Sequence, residues 1–157
     1  MSNALFEIFV AGIPQPAGSK KGFVVRNKAT GKSRAIIVDD AKNSRPWKSH
    51  ISAMVSDAWK APPLDGALQL DIVFTMPRPA SHFGTRKGER YLKPTAPHFH
   101  TVKPDRTKLL RCAEDALLGV LLVDDCRVVA GEAVKVYGEK PGASIRVSRA
   151  TGEPTHE

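Results

Sequence analysis

The 157-residue sequence lacks the features on which secreted and membrane-spanning proteins depend. Only two cysteines are present, Cys112 and Cys126, which are too few for a disulfide framework and do not have the spacing of a zinc motif. No apolar run is long enough to cross a membrane, and no charged segment followed by an apolar run forms a secretion leader. We therefore expect a cytoplasmic protein that has reduced thiols and no membrane partner.

Acidic residues are also in short supply relative to basic ones. The chain has 24 Lys and Arg against 16 Asp and Glu, which gives a net charge of +8 and a pI near 9.7. A positive field of this size favours a polyanionic partner, either nucleic acid or an anionic membrane surface. The alternative is a solvated basic surface that has no dedicated partner. The length is sufficient for one domain with a real core, which we place at residues 5–149, followed by a polar, frayed tail at 150–157.

The apolar periodicity predicts several strands and two main helices. The first helix begins at Ser44, taken as its cap, and the second runs from Asp105 to about Leu117. Segment 77–100 has no apolar period and is too long for an idle connection, so it is predicted to be a functional or a mobile loop. The order of elements predicts a single α/β domain of the α+β type with a mixed sheet. The predicted strands are 5–11, 23–25, 35–38, 68–76, 127–137 and 143–147.

Acidic residues occur at two positions where they could act together. Asp105 begins the second helix, where it is either a cap or a metal ligand, and Asp124 and Asp125 lie just before a strand. Each acid taken alone is more commonly structural. The short return through Gly119 can bring the two positions together, and neighbouring carboxylates are usually stabilised by a divalent cation. The pattern predicts a Mg²⁺ site formed by Asp105, Asp124 and Asp125.

Basic residues near these acids are candidates for contacts with phosphate. Arg111, within the second helix, could stabilise charge at a scissile phosphate; the alternative is a solvated helix face. Lysines on an exposed hairpin could follow a DNA backbone, although they also prevent edge pairing between sheets. In the segment 78–91, arginines alternate with Phe83 and Tyr91, a composition suited to stacking on unpaired bases. The predicted DNA-binding residues are Lys20, Lys21, Arg78, Arg86, Lys87, Lys103 and Lys108.

The run from Lys103 to Leu117 has the pattern Lys-Pro-Asp-x-x-Lys-Leu-Leu-Arg-x-x-x-Asp-Ala-Leu, and Asp-Asp-x-x-Val-Val follows it. These motifs resemble the RusA family of phage and prophage Holliday junction resolvases. Three further segments, at 12–20, 45–47 and 74–79, are similar to parts of the same family, so the resemblance covers nearly all of 5–149. It implies a homodimer that cuts four-way DNA junctions with Mg²⁺ or Mn²⁺ in recombination and repair, in the cytoplasm of a bacterial host.

The resemblance also assigns roles to individual residues. Asp105 matches the family's first catalytic aspartate and Asp125 its late one, with Asp124 beside it. Arg111 stands where some members carry an essential lysine. Thr107 departs from the pattern, which requires a second aspartate there. Either Asp124 replaces the missing charge, or the metal binds more weakly, or the protein is a catalytically weak or inactive protein that binds branched DNA.

Overall fold

The computed structural model describes residues 4–18, 20–39 and 42–152, with the backbone alone described at 20–23 and 37–39. In these residues two helices accompany a mixed sheet and two separate hairpins, which confirms the predicted single α+β domain. No helix in them is both long and apolar enough to span a bilayer. The helices are α1 Ser44–Ala58 and α2 Arg106–Leu117. The strands are β1 Ala4–Ala11, β2 Lys20–Arg26, β3 Ser33–Asp39, β4 Leu68–Pro77, β5 Phe83–Arg86, β6 Glu89–Leu92, β7 Val128–Ala130, β8 Ala133–Gly138 and β9 Gly142–Arg149.

The main sheet is built around β4. One edge of β4 pairs antiparallel with β9, which in turn pairs antiparallel with β1. The other edge pairs in parallel with β7 near its start and with β8 along the rest of its length. Alternate residues of β4 point into the core, as the sequence predicts. The buried residues of this strand are Leu68, Leu70, Ile72, Phe74 and Met76.

The two helices pack against each other and supply the rest of the core. In α2 the apolar residues Leu109, Ala113, Ala116 and Leu117 are buried together with Cys112, and Leu110 is half-buried. In α1 the buried residues include Trp47, Ile51 and Val55, whereas Met54 is 39% exposed. Ser44 is not the cap that the sequence predicts, because it is the first helical residue and is itself buried.

The predicted strand 127–137 is divided into β7 and β8. Gly131 separates them at a φ of +141°, and a Cβ at this position would overlap the carbonyl oxygen of Leu70. The interruption lets Asp71 accept a hydrogen bond from the backbone N–H of Glu132 at 2.9 Å. β4 therefore pairs in parallel with β7 before the interruption and with β8 after it. Only a glycine fits at position 131, because any Cβ there would overlap Leu70.

Segment 77–100 has more regular structure than the sequence predicts. It contains a 3₁₀ turn at Ala80–His82 and the hairpin of β5 and β6. Its end pairs with the outer edge of β8, because the N–H of Tyr137 donates to the carbonyl of His98 at 2.9 Å. The N–H of His100 donates to the carbonyl of Lys135 at 3.1 Å. The apolar period is missing because the hairpin lies on the surface, not because the segment lacks structure.

The structure describes only part of the predicted C-terminal tail. The predicted domain limits, 5–149, remain a prediction. In the predicted tail, the N–H of Ala150 donates to the carbonyl of Ala67 at 3.0 Å, and residues 153–157 lie outside the described residues.

Candidate functional site

Asp105 lies immediately before α2 with an extended backbone. Its carbonyl accepts the first hydrogen bond of the helix, from the N–H of Leu109 at 3.1 Å. Its carboxylate makes no capping hydrogen bond and is exposed to solvent. An aspartate at this position normally uses its side chain to cap the helix. The carboxylate of Asp105 therefore does not cap α2.

The surroundings of Asp105 are basic. It shares a cavity of about 360 Å³ with Lys103 and Lys108, and two prolines complete the lining. The peptide before Asp105 is held in place by Lys135, whose ammonium donates to the carbonyl of Pro104 at 2.7 Å. A carboxylate between two lysines binds a bare cation weakly, but this arrangement suits a phosphate group that brings a cation with it.

Arg111 ties the loop after β1 to the same half of α2. Its Nη2 donates to the carbonyl of Gly18 at 2.8 Å. One turn earlier, the N–H of Ala17 donates to the carbonyl of Lys108 at 2.9 Å. Arg111 is thus more than a solvated cation on a helix face, and the contact fixes where the loop enters β2. The side chains of Lys20 and Lys21, at the start of β2, lie outside the described residues.

Asp124 and Asp125 form a close pair of carboxyl groups. Asp124 precedes a 3₁₀ turn at Asp125–Arg127, and its carboxylate accepts a hydrogen bond from the N–H of Cys126 at 3.1 Å. This hydrogen bond, together with one from Asp125, lowers the pKa of Asp124. The pKa of Asp125 is raised, first by the hydrogen bond that it shares with Asp124 and then by lost hydration and nearby negative charge. Each of these exposed carboxyl groups therefore influences the ionisation of the other.

Two acids from α2 face this pair. Burial raises the pKa of Glu114, and the charges of Asp125 and Asp115 raise it further. Asp115 also raises the pKa of Asp125, and it lies 4.0 Å from the ammonium of Lys48 on α1. Asp115 is therefore both paired with Lys48 and part of the acidic group. Glu114 belongs to the same group. The sequence gives no signal for this, because Asp125 reaches Glu114 from a separate turn of the chain.

The structure brings Asp125 to one end of α2 and keeps Asp105 at the other. With a rise of about 1.5 Å per residue, Glu114 lies about 14 Å along the helix from Asp105. Throughout the part of the chain that the structure describes, no group of three or more His, Cys, Asp or Glu side chains could hold a metal. The candidate site of one protomer thus has two parts, the Asp124–Asp125 pair and the cavity of Asp105.

The pKa of Glu114 leads to a prediction about stability. Its raised pKa means that this carboxyl group contributes most to stability below its ordinary value of 4.5, and that this contribution is lost as the pH rises through the folded-state pKa. Glu114→Gln should therefore raise the Tm at pH 7 by on the order of 2 °C. The gain should shrink toward zero below pH 4.5, in melts recorded with EDTA. Glu89→Gln, on the exposed strand β6, is the control; an equal gain at both pH values for Glu114→Gln would contradict the assignment.

The predicted basic residues of segment 77–100 lie on and beside the β5–β6 hairpin. Arg78 donates from Nη1 to the carbonyl of Pro97 at 2.7 Å, and its guanidinium lies 5.4 Å from the ring centre of Tyr137. Arg86 and Lys87 are exposed at the hairpin turn, where Lys87 adopts a φ of +51°. Arg90, one of the arginines of the segment predicted to stack on unpaired bases, lies 3.8 Å above the ring of Phe83. Arg90 pairs with Thr85 in the hairpin register, and Thr85 lies on the same face as Phe83, so Arg90 also lies on that face.

The chain matches the protein-family model described as Endodeoxyribonuclease RusA over residues 15–148. The match includes both ends of α2 and the Asp124–Asp125 pair. No curated protein matches the chain. The matched range covers most of the chain and nearly all of the elements described above.

Proposed function

Since the chain belongs to the RusA endodeoxyribonuclease family, we propose that it is a Mg²⁺- or Mn²⁺-dependent endonuclease that resolves four-way DNA junctions in recombination and repair. The observation that carries the proposal is the family match over residues 15–148, which spans every acidic position of the site. A net charge of +8 supports a polyanionic substrate.

The Asp124–Asp125 pair fits a divalent cation. Its ligands are hard oxygens, both groups are exposed, and their contact raises the pKa of Asp125 in the absence of a cation. Mg²⁺ is commonly held by one or two carboxylates, with the remaining ligands supplied by water and phosphate oxygens. When bound, the ion would supply charge that polarises a phosphodiester and favours ionisation of water. The carboxylates of Asp124 and Asp125 would hold the ion, and Glu114 would add negative charge behind them.

Asp105 supplies the second part of the proposed site. The basic lining of its cavity opposes a bare cation, so we propose that Asp105 contributes to metal binding together with a DNA phosphate. Lys103 and Lys108 would bind that phosphate and orient the strand. Arg111 is proposed to stabilise charge at the scissile phosphate through the donors not used on Gly18, while the Gly18 contact holds its guanidinium in place.

A homodimer is part of the proposal because a four-way junction has two-fold symmetry. Two identical sites related by a two-fold axis can cut opposing strands at equivalent positions, which one site cannot do in a single encounter. We further propose that the protein acts in the cytoplasm of a bacterial host, as a phage or prophage protein. These statements rest on the family resemblance and on the symmetry of the substrate.

The direct test uses a synthetic four-way junction. The purified protein is incubated with the junction and with a linear duplex of the same sequence, with Mg²⁺, with Mn²⁺ and with EDTA. Cleavage at symmetric positions of the junction, dependent on metal and absent from the duplex, is the expected result. Equal cleavage of both substrates would contradict junction selectivity, and cleavage in EDTA would contradict metal dependence.

Thr107 provides a second test, since it begins α2 two residues after Asp105. Thr107→Asp would add a carboxylate to the Asp105 part of the site, at the positive end of the helix where a carboxylate is tolerated. We expect the Mg²⁺ concentration for half-maximal cleavage to fall about tenfold, which corresponds to about 1.4 kcal/mol of added binding. Thr107→Asn is the uncharged control. An unchanged metal requirement in Thr107→Asp would assign the ion needed for cleavage to the Asp124–Asp125 pair alone.

A protein that binds junctions but cuts them weakly or not at all is the second candidate. It is favoured by Thr107 in place of the family's aspartate and by the lack of a three-ligand cluster among the described residues. This alternative predicts tight junction binding with no cleavage by the wild-type protein or by Thr107→Asp in either metal. The same two assays therefore separate the two functions.

A further inference from the structure

A pocket of about 260 Å³ lies between the β5–β6 hairpin and the ends of the main sheet, apart from the acidic residues. The hairpin contributes Phe83, Arg90 and Leu92, and the residues following β4 contribute Arg78. Leu92, which pairs with Phe83 in the hairpin, is 47% exposed. The pocket therefore combines flat apolar surface with two guanidinium groups.

The charges around the pocket favour an anion. In the part of the chain that the structure describes, neither Arg78 nor Arg90 forms an ion pair with a carboxylate. The guanidinium of Arg90 lies over the Phe83 ring at 3.8 Å, and Arg78 uses Nη1 on the carbonyl of Pro97. The acidic residue of the lining, Glu139, is exposed on the turn after β8.

The shape of the pocket favours a single flat group. Pockets for drug-sized ligands are typically about 300–1,000 Å³, so this volume is suited to one ring system. Aromatic rings and guanidinium planes are the surfaces on which unpaired bases stack in complexes with single-stranded nucleic acid. A base within a duplex is covered by its neighbours on both faces and cannot reach Phe83.

We propose that this pocket binds one unpaired nucleotide, with its base stacked on the Arg90 guanidinium that lies over the Phe83 ring and its phosphate near Arg78. The proposal rests on the proposed function in one respect, because a junction offers unpaired or easily unstacked bases at its centre. It adds a binding site distinct from the acidic residues.

The test measures binding without cleavage, in EDTA, by fluorescence anisotropy. The probes are a short oligothymidylate, the same oligomer with abasic sites in place of its bases, and a linear duplex. The wild-type protein should bind the oligothymidylate more tightly than the abasic oligomer. Phe83→Ala should weaken oligothymidylate binding about tenfold while changing duplex binding less than about twofold. Phe83→Tyr, which keeps the flat ring, should retain affinity and excludes misfolding as the cause.

Charge variants complete the test. Arg90→Gln should weaken oligothymidylate binding more than duplex binding, and Glu139→Gln should tighten oligothymidylate binding. Arg86→Gln, on the same hairpin but outside the pocket, is the matched control and should weaken both probes equally. Equal binding of the abasic oligomer and the oligothymidylate, or equal losses on both probes in Phe83→Ala, would overturn the proposal. Selective single-strand binding without any junction cleavage would instead defeat the proposed function and leave the pocket standing.

Discussion

Replacing Asp125 with asparagine should lower the rate of junction cleavage by more than about 100-fold while junction binding stays equal or becomes tighter. The substitution removes one of two paired carboxylates, and losses of 10- to 100-fold are already typical when only an outer partner of a metal ligand is lost. It also removes a negative charge from a surface that must approach phosphate. Cleavage and anisotropy are measured on the same labelled junction, with and without Mg²⁺ or Mn²⁺.

Folding should not account for the loss in Asp125→Asn. The hydrogen bond with Asp124, lost hydration and the negative charges of Asp124 and Asp115 raise the pKa of Asp125. A neutral asparagine can donate a hydrogen bond to Asp124 without charge repulsion, so the Tm of Asp125→Asn should be equal to or above that of the wild type. Asp57 lies on α1 and forms an exposed pair with Lys60. Asp57→Asn, which breaks this pair, is the matched control and should cut normally. Wild-type cleavage by Asp125→Asn would show that the proposed site is wrong.

The companion variant Asp105→Asn separates the two parts of the site. If Asp105 binds metal only with a DNA phosphate, Asp105→Asn should cut poorly at saturating DNA but should keep the metal affinity of the free protein. Asp125→Asn should lose that affinity. Isothermal titration of each variant with Mn²⁺ in the absence of DNA measures this difference, and equal losses in both variants would mean that one ion is shared.

Salt should have the second large effect, on junction binding. Seven basic residues are proposed to contact DNA, and each phosphate that they neutralise releases bound counterions. With six or more such contacts, affinity should fall by about 10³-fold or more between 50 and 200 mM salt. The measurement is the junction Kd in EDTA over that range. A flat response would count against a nucleic-acid partner altogether.

Single lysine variants show which residues contribute to the salt dependence. Lys103→Ala should lower the slope of log affinity against log salt by about one, because it removes one phosphate contact beside Asp105. Lys60→Ala, two residues beyond the end of α1 and paired with Asp57, removes the same charge outside the predicted DNA-binding residues and should leave the slope unchanged. An equal change in both variants would mean that net charge, not a defined contact, controls binding.

Local pattern alone was sufficient for much of the fold. The alternation in β4, the apolar stripe of α2 and the turn that closes the β2–β3 hairpin each depend on residues close together in the chain. Their periodicity follows from helix and strand geometry and needs no distant partner. The order of these elements was enough to predict a mixed sheet with two helices. The motifs around α2 were enough to indicate the family that the family model independently matches.

The tertiary structure decided what depends on distant partners. The interruption at Gly131 arises from its close approach to Leu70, sixty-one residues earlier, and the hairpin in segment 77–100 is held by the edge of β8. The burial of Glu114 beside Asp125 likewise depends on where the chain returns after α2. The sequence could indicate the acids of the proposed site, but the length of α2 sets Asp105 and Asp125 at its two ends. Because a helix is rigid, its length determines this separation, and the loop that follows α2 does not change it.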